Sequence, residues 1–595
     1  MPSNKTTNNF FHHIYYFFFR SFKNRKIRIS ILILILLAGG LFFYFKQMTR
    51  MEIYVKYHTP INFVKKASNI FYFWPYFIPS KLPAYDLEIN RQDLKKLLAS
   101  RPPVYQGVDW TPTYKKISVP AIFKYEGKSY EVEIKFRGLN DTHWRDPKKS
   151  YSLEFKKNLF LGQKAIQLVI PDDKEYYAEP FSYYLAKKLG LATNSYKFIN
   201  LKINGKNQGV YLEIQDWDNL SLMEEIDKTS KKDQSDLYTL LNLEKFSALN
   251  PNLEFNYLGF WKKYNPESGS NIDNFTNLKK FLDLVNNPSD EYFFQHIGDI
   301  IDLDNFYRWN TLNLIYSNRH AGLGNTKLFF NSPLGKFQFI TWDAYPGYLP
   351  DLGLELDEGG FISRILSNPI FLRQRNKILA NYLNNDDNLI DDLNYFDKLY
   401  QETKNDFYRD YSKIDSNFKY DQRIKILRNK IIDGYSAVKN FLRVTNIFIE
   451  ADLSDKSLAP FKIINIGFSP VILDELAVEF DKTAGGDKIY LYEDSNKDDI
   501  FDHNDLLLTE LNKTEPAGEI FKAKNINGLI FSRKEIFTDQ NGKSQLRIAP
   551  YASTFFLKSG PGGLKGIKDM KFVLINELTK EKISAKDNVR FIGSY

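Results

Sequence analysis

The sequence predicts an α+β domain, an all-β domain of the immunoglobulin-like sandwich type after it, and a membrane-spanning helix before both. Three observations predict this arrangement. Residues 27–45 form an apolar stretch, residues 85–445 mix amphipathic helices with alternating strands, and residues 446–595 hold short alternating strands between Gly, Pro, Asn and Asp. The chain of 595 residues is 43% hydrophobic, which excludes a disordered protein and favours two or three domains.

The apolar stretch at residues 27–45 carries a single charge, Arg28, at its edge. A helix of this length spans about 28 Å, the thickness of one hydrocarbon core. Basic residues are denser before the stretch than after it, which predicts a cytoplasmic segment 1–26 and an extracytoplasmic main body. A cleaved signal peptide is the alternative, but no small-residue cleavage site follows, so an uncleaved anchor is favoured. Residues 46–84, which contain WPYFIPSKLP, are predicted to be a juxtamembrane spacer.

Composition excludes several classes of function. The chain has no cysteine, so disulfides, thiolate zinc sites and cysteine nucleophiles are absent. It has seven histidines and no HExxH pattern, which argues against a histidine zinc site. The net charge of +9 is spread along the chain and forms no basic stripe, so nucleic acid is not an expected partner.

Residues 85–445 show the alternation of strands and helices that defines an α+β domain. One hairpin is predicted around Gly127, a helix ends at Gly190, and a second hairpin turns at Asn204 and Gly205. Longer helical stretches are predicted near residues 276–287, 302–317 and 370–445.

A first group of polar residues lies on two strands predicted to be largely buried. In EVEIKFRG, the alternation places Arg137 on the polar face, and Gly138 opens a turn. In PKKSYSLEF, one of the adjacent Lys148 and Lys149 must point to the same side. Cationic side chains beneath a turn that donates backbone amides can hold a polyphosphate. An ordinary solvated hairpin is the alternative.

A second group lies almost two hundred residues later, where GNTKLFF and GKFQFIT read as paired strands. Asn325 and Asp343 flank these strands. An amide oxygen and a carboxylate are ligands that Mg²⁺ accepts while it keeps waters and bridges phosphates. A turn or helix cap is the structural alternative for either residue.

These motifs resemble the spore-coat CotH kinase family, whose pattern joins an RG turn, a KKSY-type strand, an NGxxxGVY hairpin and an N…WD ending. The corresponding pieces here are Arg137-Gly138, Lys148 to Tyr151, Asn204-Gly205 through Gly209-Val210-Tyr211, and Asn325 with Trp342-Asp343. The resemblance covers roughly residues 85–350. It implies an atypical protein-kinase-like fold that transfers phosphate from ATP to Ser or Thr of exported proteins.

The resemblance also implies roles for individual residues. Lys148 or Lys149 is expected to hold the ATP phosphates, and Arg137 to brace the turn on the phosphate side. Asn325 and Asp343 are expected to hold Mg²⁺ or Mn²⁺. Because phosphoryl transfer asks mainly for positioning and charge neutralisation, such a small set is sufficient in principle.

The sequence departs from the family pattern in three places. Residues 305–342 contain no Asp or Glu, although the family has an acidic residue shortly before its Asn. His320 stands at the position of the base, and a neutral imidazole can accept a hydroxyl proton. Tyr345 replaces a second acid after the WD pair, and Gln215 stands near the usual glutamate, for which Glu213 is the possible substitute at the nucleotide.

The C-terminal region contains a candidate calcium loop, DSNKDDIFDHND, with strand-like flanks. Its spacing matches the ligand positions of a twelve-residue Ca²⁺ loop, although Asp499 stands where glycine is expected. The predicted ligands are Asp494, Asn496, Asp498, the Ile500 carbonyl, Asp502 and Asp505. A plain acidic turn is the alternative.

The sequence therefore predicts a membrane-anchored, extracytoplasmic kinase that uses ATP and a divalent metal on an exported or surface protein. A catalytically degenerate relative that acts as a surface scaffold or adhesion protein is the main alternative. Cell-wall glycan hydrolysis needs paired carboxylates in a cleft, which the sequence does not place, and ranks last.

Overall fold

A computed structural model describes most of the chain from residue 66 onward, and Ile33 alone before it. After residue 66 the undescribed residues are 102–115, 139–140, 145–146, 217–234, 241–257, 264–273, 319–324, 326, 345, 347–353, 356–359, 482–487, 515–518, 539–543, 562, 585–588 and 593–595. The predicted membrane segment 27–45 thus lies outside the described residues apart from Ile33. In the part of the chain that is described, no helix is long and apolar enough to cross a membrane.

The first unit is a closed barrel of seven strands in the order β1-β2-β3-β4-β5-β7-β6. The strands are β1 (Ala84–Glu88), β2 (Val119–Tyr125), β3 (Lys128–Phe136), β4 (Tyr151–Phe155), β5 (Ala165–Val169), β6 (Tyr196–Ile203) and β7 (Lys206–Gln215). Neighbouring strands are antiparallel except that β1 and β6 pair in parallel and close the barrel. Alternate residues such as Phe123, Ile134 and Leu153 fill one buried core, as the period of two predicts.

Helices pack beside the barrel and form the largest core of the protein. The helices are α1 (Arg91–Ala99), α2 (Ala178–Lys188), α3 (Thr276–Val285), α4 (Asp290–Ile300), α5 (Leu303–Ile315), α6 (Gly360–Ser367), α7 (Pro369–Leu383), α8 (Asp386–Arg409) and α9 (Asn417–Phe441). Helices α4, α5, α7, α8 and α9 begin after a Ser, Asp or Asn whose side-chain oxygen accepts from the first turn. Local capping therefore fixes where these helices start.

A small sheet lies between the barrel and the helices, in the order β11-β10-β8-β9. Its strands are β8 (Asp236–Leu240), β9 (Trp261–Lys263), β10 (Lys327–Asn331) and β11 (Lys336–Phe339). Leu328 and Phe339 are register partners and belong to the helical core. Leu237 and Phe329 face the other side, where they form a separate small cluster with Trp342 packed against it. One face of this sheet thus packs on the helical core, and the other packs against Trp342.

The C-terminal region is all β. A two-residue strand, β12 (Leu354–Glu355), pairs with β20 beside β19. Ten strands form one continuous hydrogen-bonded series in the order β23-β22-β15-β18-β17-β16-β21-β14-β13-β24, and their inward residues share one core. The strands are β13 (Ile447–Asp452), β14 (Leu458–Asn465), β15 (Val471–Phe480), β16 (Ile489–Glu493), β17 (Leu506–Lys513), β18 (Ile520–Ile530), β19 (Arg533–Thr538), β20 (Ser544–Ala549), β21 (Tyr551–Ser559), β22 (Ile567–Asn576), β23 (Lys582–Ser584) and β24 (Val589–Ile592). The architecture is mixed α and β, and the immunoglobulin-like classification stays a prediction.

The β region docks on helix α7 through polar contacts as well as apolar ones. The guanidinium of Arg373 donates to Glu577, with Nε 2.7 Å from Oε2, and Asn376 Nδ2 lies 3.1 Å from the Phe468 carbonyl. Phe468 and Leu578 belong to the helical core although they lie beyond residue 445. This interface holds the C-terminal region against the helices.

Candidate functional site

The site begins at the turn after β3, where Arg137 and Gly138 follow the last barrel residue of that strand. Arg137 N donates to the Ser150 carbonyl over 3.0 Å, and Lys116 Nζ donates to the Gly138 carbonyl over 2.5 Å. Gly138 has a φ of +82°, and an added Cβ would lie 2.0 Å from His143 Cδ2. The glycine is required both by the left-handed backbone and by this close approach.

Two cations flank the ring of Trp342, which follows β11. The Arg137 guanidinium carbon lies 5.6 Å from the ring centroid, and Lys327 Nζ lies 4.8 Å from it. Lys327 belongs to β10 and donates to Thr239 Oγ1 over 3.2 Å. Lys327 is 6% exposed, and burial, followed by repulsion from Lys262, lowers its pKa to about 7. The barrel and the small sheet thus each bring one cation to the same indole.

Acidic side chains act electrostatically in the same region as these cations. Glu179, in the first turn of α2, is buried and accepts a hydrogen bond from Tyr183, with Oη 2.7 Å from Oε1. Burial, and then the Glu179 carboxylate, raises the pKa of Tyr183 well above its usual value, while Arg137 opposes the rise and Asp343 adds to it. Both cations of the Trp342 pair therefore share a low-dielectric neighbourhood with acids from different parts of the chain.

Asp216 joins the same neighbourhood from the end of β7. It is buried, and its charge, like that of Asp343, favours the protonated form of Lys327. Because opposite charges in a low dielectric attract more strongly than in water, this set can hold an anionic ligand and a cation side by side.

Asn325 and Asp343 leave the β10–β11 hairpin at the same end. Lys327 begins β10, and the amide of Ile340 donates to the Lys327 carbonyl over 3.2 Å, so the start of β10 and the residue that follows β11 are neighbours. Asn325 and Asp343 are both half-buried, and Asp343 has a φ of +53° in a bend. The predicted catalytic residue His320 lies outside the described residues, so its role stays a prediction.

The lysine predicted to hold phosphate takes part in a buried ion pair. Lys148 Nζ lies 2.6 Å from Asp410 Oδ2 and also donates to the Val210 carbonyl over 2.5 Å. The same Asp410 oxygen accepts from the Val210 amide over 2.9 Å, and a Cβ on Gly209 would lie 2.0 Å from Asp410 Oδ1. The KKSY and GVY motifs therefore meet each other, and they meet around a carboxylate that sequence reasoning did not select.

The other two predicted nucleotide contacts are also buried. Lys149 is 8% exposed. Glu213 faces the barrel core, accepts a hydrogen bond from the Tyr85 hydroxyl, and lies 3.4 Å from Lys197 Nζ. Burial raises the pKa of Glu213, and Tyr85 and Lys197 act against that rise. The nucleotide roles of Lys148, Lys149 and Glu213 stay predictions, and the structure gives Lys148 and Glu213 partners within the fold.

In the candidate calcium loop, the carboxylates bind the backbone of the loop itself. Asp494 accepts from the amides of Lys497 and Asp499, over 2.7 and 2.9 Å, and Asp505 accepts from the amide of Asp502 over 2.9 Å. Asp498 likewise accepts from the Ile500 amide, and Asn496 donates to Asp498. Among the described residues, no three His, Cys, Asp or Glu side chains converge as a metal site, so Ca²⁺ binding here is not supported.

Sequence reasoning missed Glu179, Asp216, Lys327 and Asp410. A signal existed for Glu179, because it falls among apolar residues of a helix that is otherwise buried at most positions. The same holds for Lys327, which begins a strand whose next two residues are apolar and buried. Asp410 has no local signal for its ion pair, because Lys148 and Val210 are about two hundred or more residues away.

The family model for the CotH kinase protein matches residues 134–433, just over half of the 595 residues. The chain belongs to the CotH kinase family, which confirms the resemblance seen in the motifs. The match includes Arg137, Glu179, Asp343 and the Lys148–Asp410 pair.

Two known proteins resemble this chain. The inner spore coat protein H of Bacillus subtilis (strain 168) is 26% identical over 267 residues, which are 44% of this chain and 68% of that protein. The crystal structure of the Helicobacter pylori proinflammatory kinase CtkA covers 48% of this chain and 94% of its own, with 13% identity and a TM-score of 0.18. At that TM-score the second likeness does not define the fold.

Proposed function

We propose that this protein is a membrane-anchored, extracytoplasmic kinase that transfers phosphate from ATP to Ser or Thr of an exported or surface protein, with Mg²⁺ or Mn²⁺. Family membership supports the kinase class. The observation that carries the proposal is the pairing of Arg137 and Lys327 on Trp342 beside Asp343.

The two cations suit the phosphate end of a nucleotide. Arg137 presents a planar fork that can bind two phosphate oxygens, and Lys327 supplies a point charge from the facing sheet. Glu179, which is buried and bound to Tyr183, adds a negative charge to the region in which Arg137 also acts on that tyrosine. Charge that develops on a transferring phosphoryl group is stabilised by cations held in place beforehand.

The residues at the end of the β10–β11 hairpin fit a magnesium ion that keeps most of its own waters. Mg²⁺ is usually bound by one or two carboxylates together with phosphate oxygens, not by a complete protein cage. Asp343 would supply the carboxylate and Asn325 the amide oxygen. A bound metal would neutralise part of the negative charge of the nucleotide phosphates.

The remaining parts of the proposal rest on sequence. His320 is the candidate to accept the proton of the acceptor hydroxyl, and residues 27–45 are the candidate anchor. The acceptor is expected outside the cytoplasm because the basic residues crowd the N-terminal side of the anchor.

The test uses the full chain in lipid nanodiscs, with labelled ATP, Mg²⁺ or Mn²⁺, and a casein-like acceptor. Asp343→Asn removes the carboxylate with little change in shape. The matched control, Asp299→Asn, makes the same change at an exposed carboxylate of the same family region. We expect wild type and Asp299→Asn to transfer label and to gain thermal stability with ATP and metal, and Asp343→Asn to lose both. Equal labelling by the two variants would contradict the proposed role of Asp343.

A scaffold without catalysis is the second candidate, and one observation favours it. Residues 305–342 contain no carboxylate that could act as the base. This candidate predicts no label transfer by the wild type. It also predicts that a chain without residues 446–595 fails to restore function in cells that lack this protein, whereas Asp343→Asn restores it.

A further inference from the structure

Residues 66–83 form a strap that crosses the outside of the helical region and ends at β1. Short 3₁₀ helices occupy Ala67–Tyr72 and Trp74–Phe77. The strap exposes an unusual number of large apolar side chains, and its anchoring contacts are all on the side that faces the protein. The exposed ones are Ile70 (74%), Phe71 (82%), Phe73 (64%), Trp74 (57%), Tyr76 (48%), Phe77 (80%) and Ile78 (42%).

The inward side of the strap is fixed by polar contacts with the ends of α8 and α9. Asn69 Oδ1 accepts from the Asn417 amide over 2.7 Å, and the Tyr72 hydroxyl donates to Asp421 Oδ2 over 3.1 Å. Lys66 Nζ donates to the Tyr411 carbonyl over 2.6 Å. Tyr72 thus faces the protein, whereas Phe71, Phe73, Trp74 and Phe77 are exposed on a segment that is held in place.

Several backbone groups of the strap have partners within the protein. Arg409 Nη1 donates to the carbonyls of Pro75 and Ile78, and the Ile78 amide donates to the Pro75 carbonyl over 3.1 Å. This is what a segment needs if its outer face is to leave water, because a backbone group without a partner is costly in an apolar medium. At roughly 200 Å² for each aromatic side chain, Phe71, Phe73, Trp74 and Phe77 together expose on the order of 500 Å², the size of patch that usually marks a binding surface.

We propose that the strap is a membrane-docking surface that seats the catalytic region on an anionic lipid bilayer. Three features favour a bilayer over a protein partner. The patch is rich in Phe, Trp and Tyr, which suit the headgroup level. Besides Lys66, which is bound to Tyr411, residues 53–85 contain three lysines and no Asp or Glu, which suits anionic headgroups. The strap begins shortly after the apolar residues 27–45, and the intervening 46–65 can span at most about 70 Å.

Docking through the strap would fix the height and tilt of the site above the bilayer, and so the acceptors that it can reach. This inference rests on the membrane attachment proposed above and does not depend on phosphate transfer.

The absence of cysteine makes a direct test simple, because one added cysteine takes a single label. Phe77→Cys places a nitroxide spin label on the strap, and Leu506→Cys, 55% exposed in the C-terminal region, is the matched control. The full chain is reconstituted in vesicles with phosphatidylglycerol, attachment is measured by flotation, and collisions with oxygen and with a water-soluble nickel chelate report the depth of the label.

We expect the label at 77 to shift toward oxygen and away from nickel, while the label at 506 stays open to nickel. Vesicle-bound protein with nickel-accessible labels at both positions overturns the docking surface and leaves the anchor intact. A label at 77 shielded from both reagents means that protein covers the patch, from a second copy or from this chain, and also overturns it. Failure to float overturns both the anchor and the docking. Phosphate transfer measured on the same vesicles reports separately on the kinase proposal.

Discussion

The ion pair between Lys148 and Asp410 makes the sharpest prediction, because the same lysine is the residue that sequence motifs assign to phosphate. The two side chains are 3% and 0% exposed, and their charged atoms lie 2.6 Å apart. If the pair is structural, Asp410→Asn leaves a buried ammonium without its counter-charge while it keeps an oxygen for the amides of Ser412 and Lys413. Loss of one partner of a buried pair costs about 3–5 kcal/mol.

This cost is measured by urea unfolding of the full chain, followed by tryptophan fluorescence, and by thermal unfolding, where it corresponds to a decrease of about 4–7 °C in the Tm of the barrel and helical region. The matched control is Asp283→Asn, whose partner Lys279 is 2.6 Å away on the surface of α3, with both side chains more than 60% exposed. That change is expected to cost less than about 1 kcal/mol.

A double variant separates a structural pair from a nucleotide-binding lysine. Lys148→Met together with Asp410→Asn removes both members of the ion pair, so it is expected to be more stable than Asp410→Asn alone. If Asp410→Asn destabilises no more than Asp283→Asn, and if ATP with Mg²⁺ then binds more tightly to the variant because the lysine has been released, the structural reading is wrong.

Three further predictions concern the turn, the buried cation at the site and the response to pH. Gly138→Ala should destabilise the fold by about 1–3 kcal/mol, through the clash with His143 in addition to backbone strain, and should weaken the nucleotide-dependent rise in Tm; Gly127→Ala, also at positive φ (+74°) but with nothing within 4 Å, separates the clash from the strain. Lys327→Met should stabilise the fold at pH 6, because a buried cation is removed, and should abolish the rise in Tm that ATP and Mg²⁺ produce. A variant that is less stable than the wild type and also shows no rise in Tm would indicate that the lysine is structural. Burial lowers the pKa of Lys413 from 10.5 to about 8, so the unfolded chain binds more protons between these values, and wild-type stability should rise with pH across that window by more than it does in Lys413→Met. Equal slopes of unfolding free energy against pH would contradict this assignment.

Local elements could be predicted because the residues that determine each of them are close together in the sequence. The hairpin at Asn204 and Gly205 forms as expected, and both residues have the positive φ that a tight hairpin turn needs. The predicted helix before Gly190 ends at Lys188, with the glycine in the left-handed region. Of the long helical stretch predicted at 370–445, the structure makes three helices separated by caps.

The closed barrel could not be predicted, because its closure depends on a parallel pair between β1 and β6, more than one hundred residues apart. The environment of Glu213 was missed for the same reason. The sequence shows the alternation of the strand that carries Glu213. Its contacts with Tyr85 and Lys197 form only when the barrel closes. Asp410 is the extreme case, since nothing in its own neighbourhood distinguishes it from other acids at the end of a helix.

The family motifs have two different roles in the structure: Lys148 holds a strand in place, and Arg137 lies at the candidate site. The ammonium of Lys148 fixes the start of β4 to Asp410 and to the Val210 carbonyl. Two residues later, the Ser150 carbonyl accepts from the Arg137 amide, so the position of the arginine depends on the strand that the lysine holds. A substitution at Asp410 can therefore displace the Arg137 guanidinium from Trp342 without touching it, and a loss of activity in such a variant would reflect positioning. Measurement of nucleotide affinity and unfolding free energy in the same variant distinguishes this indirect effect from direct contact, because only the indirect effect requires both to fall together.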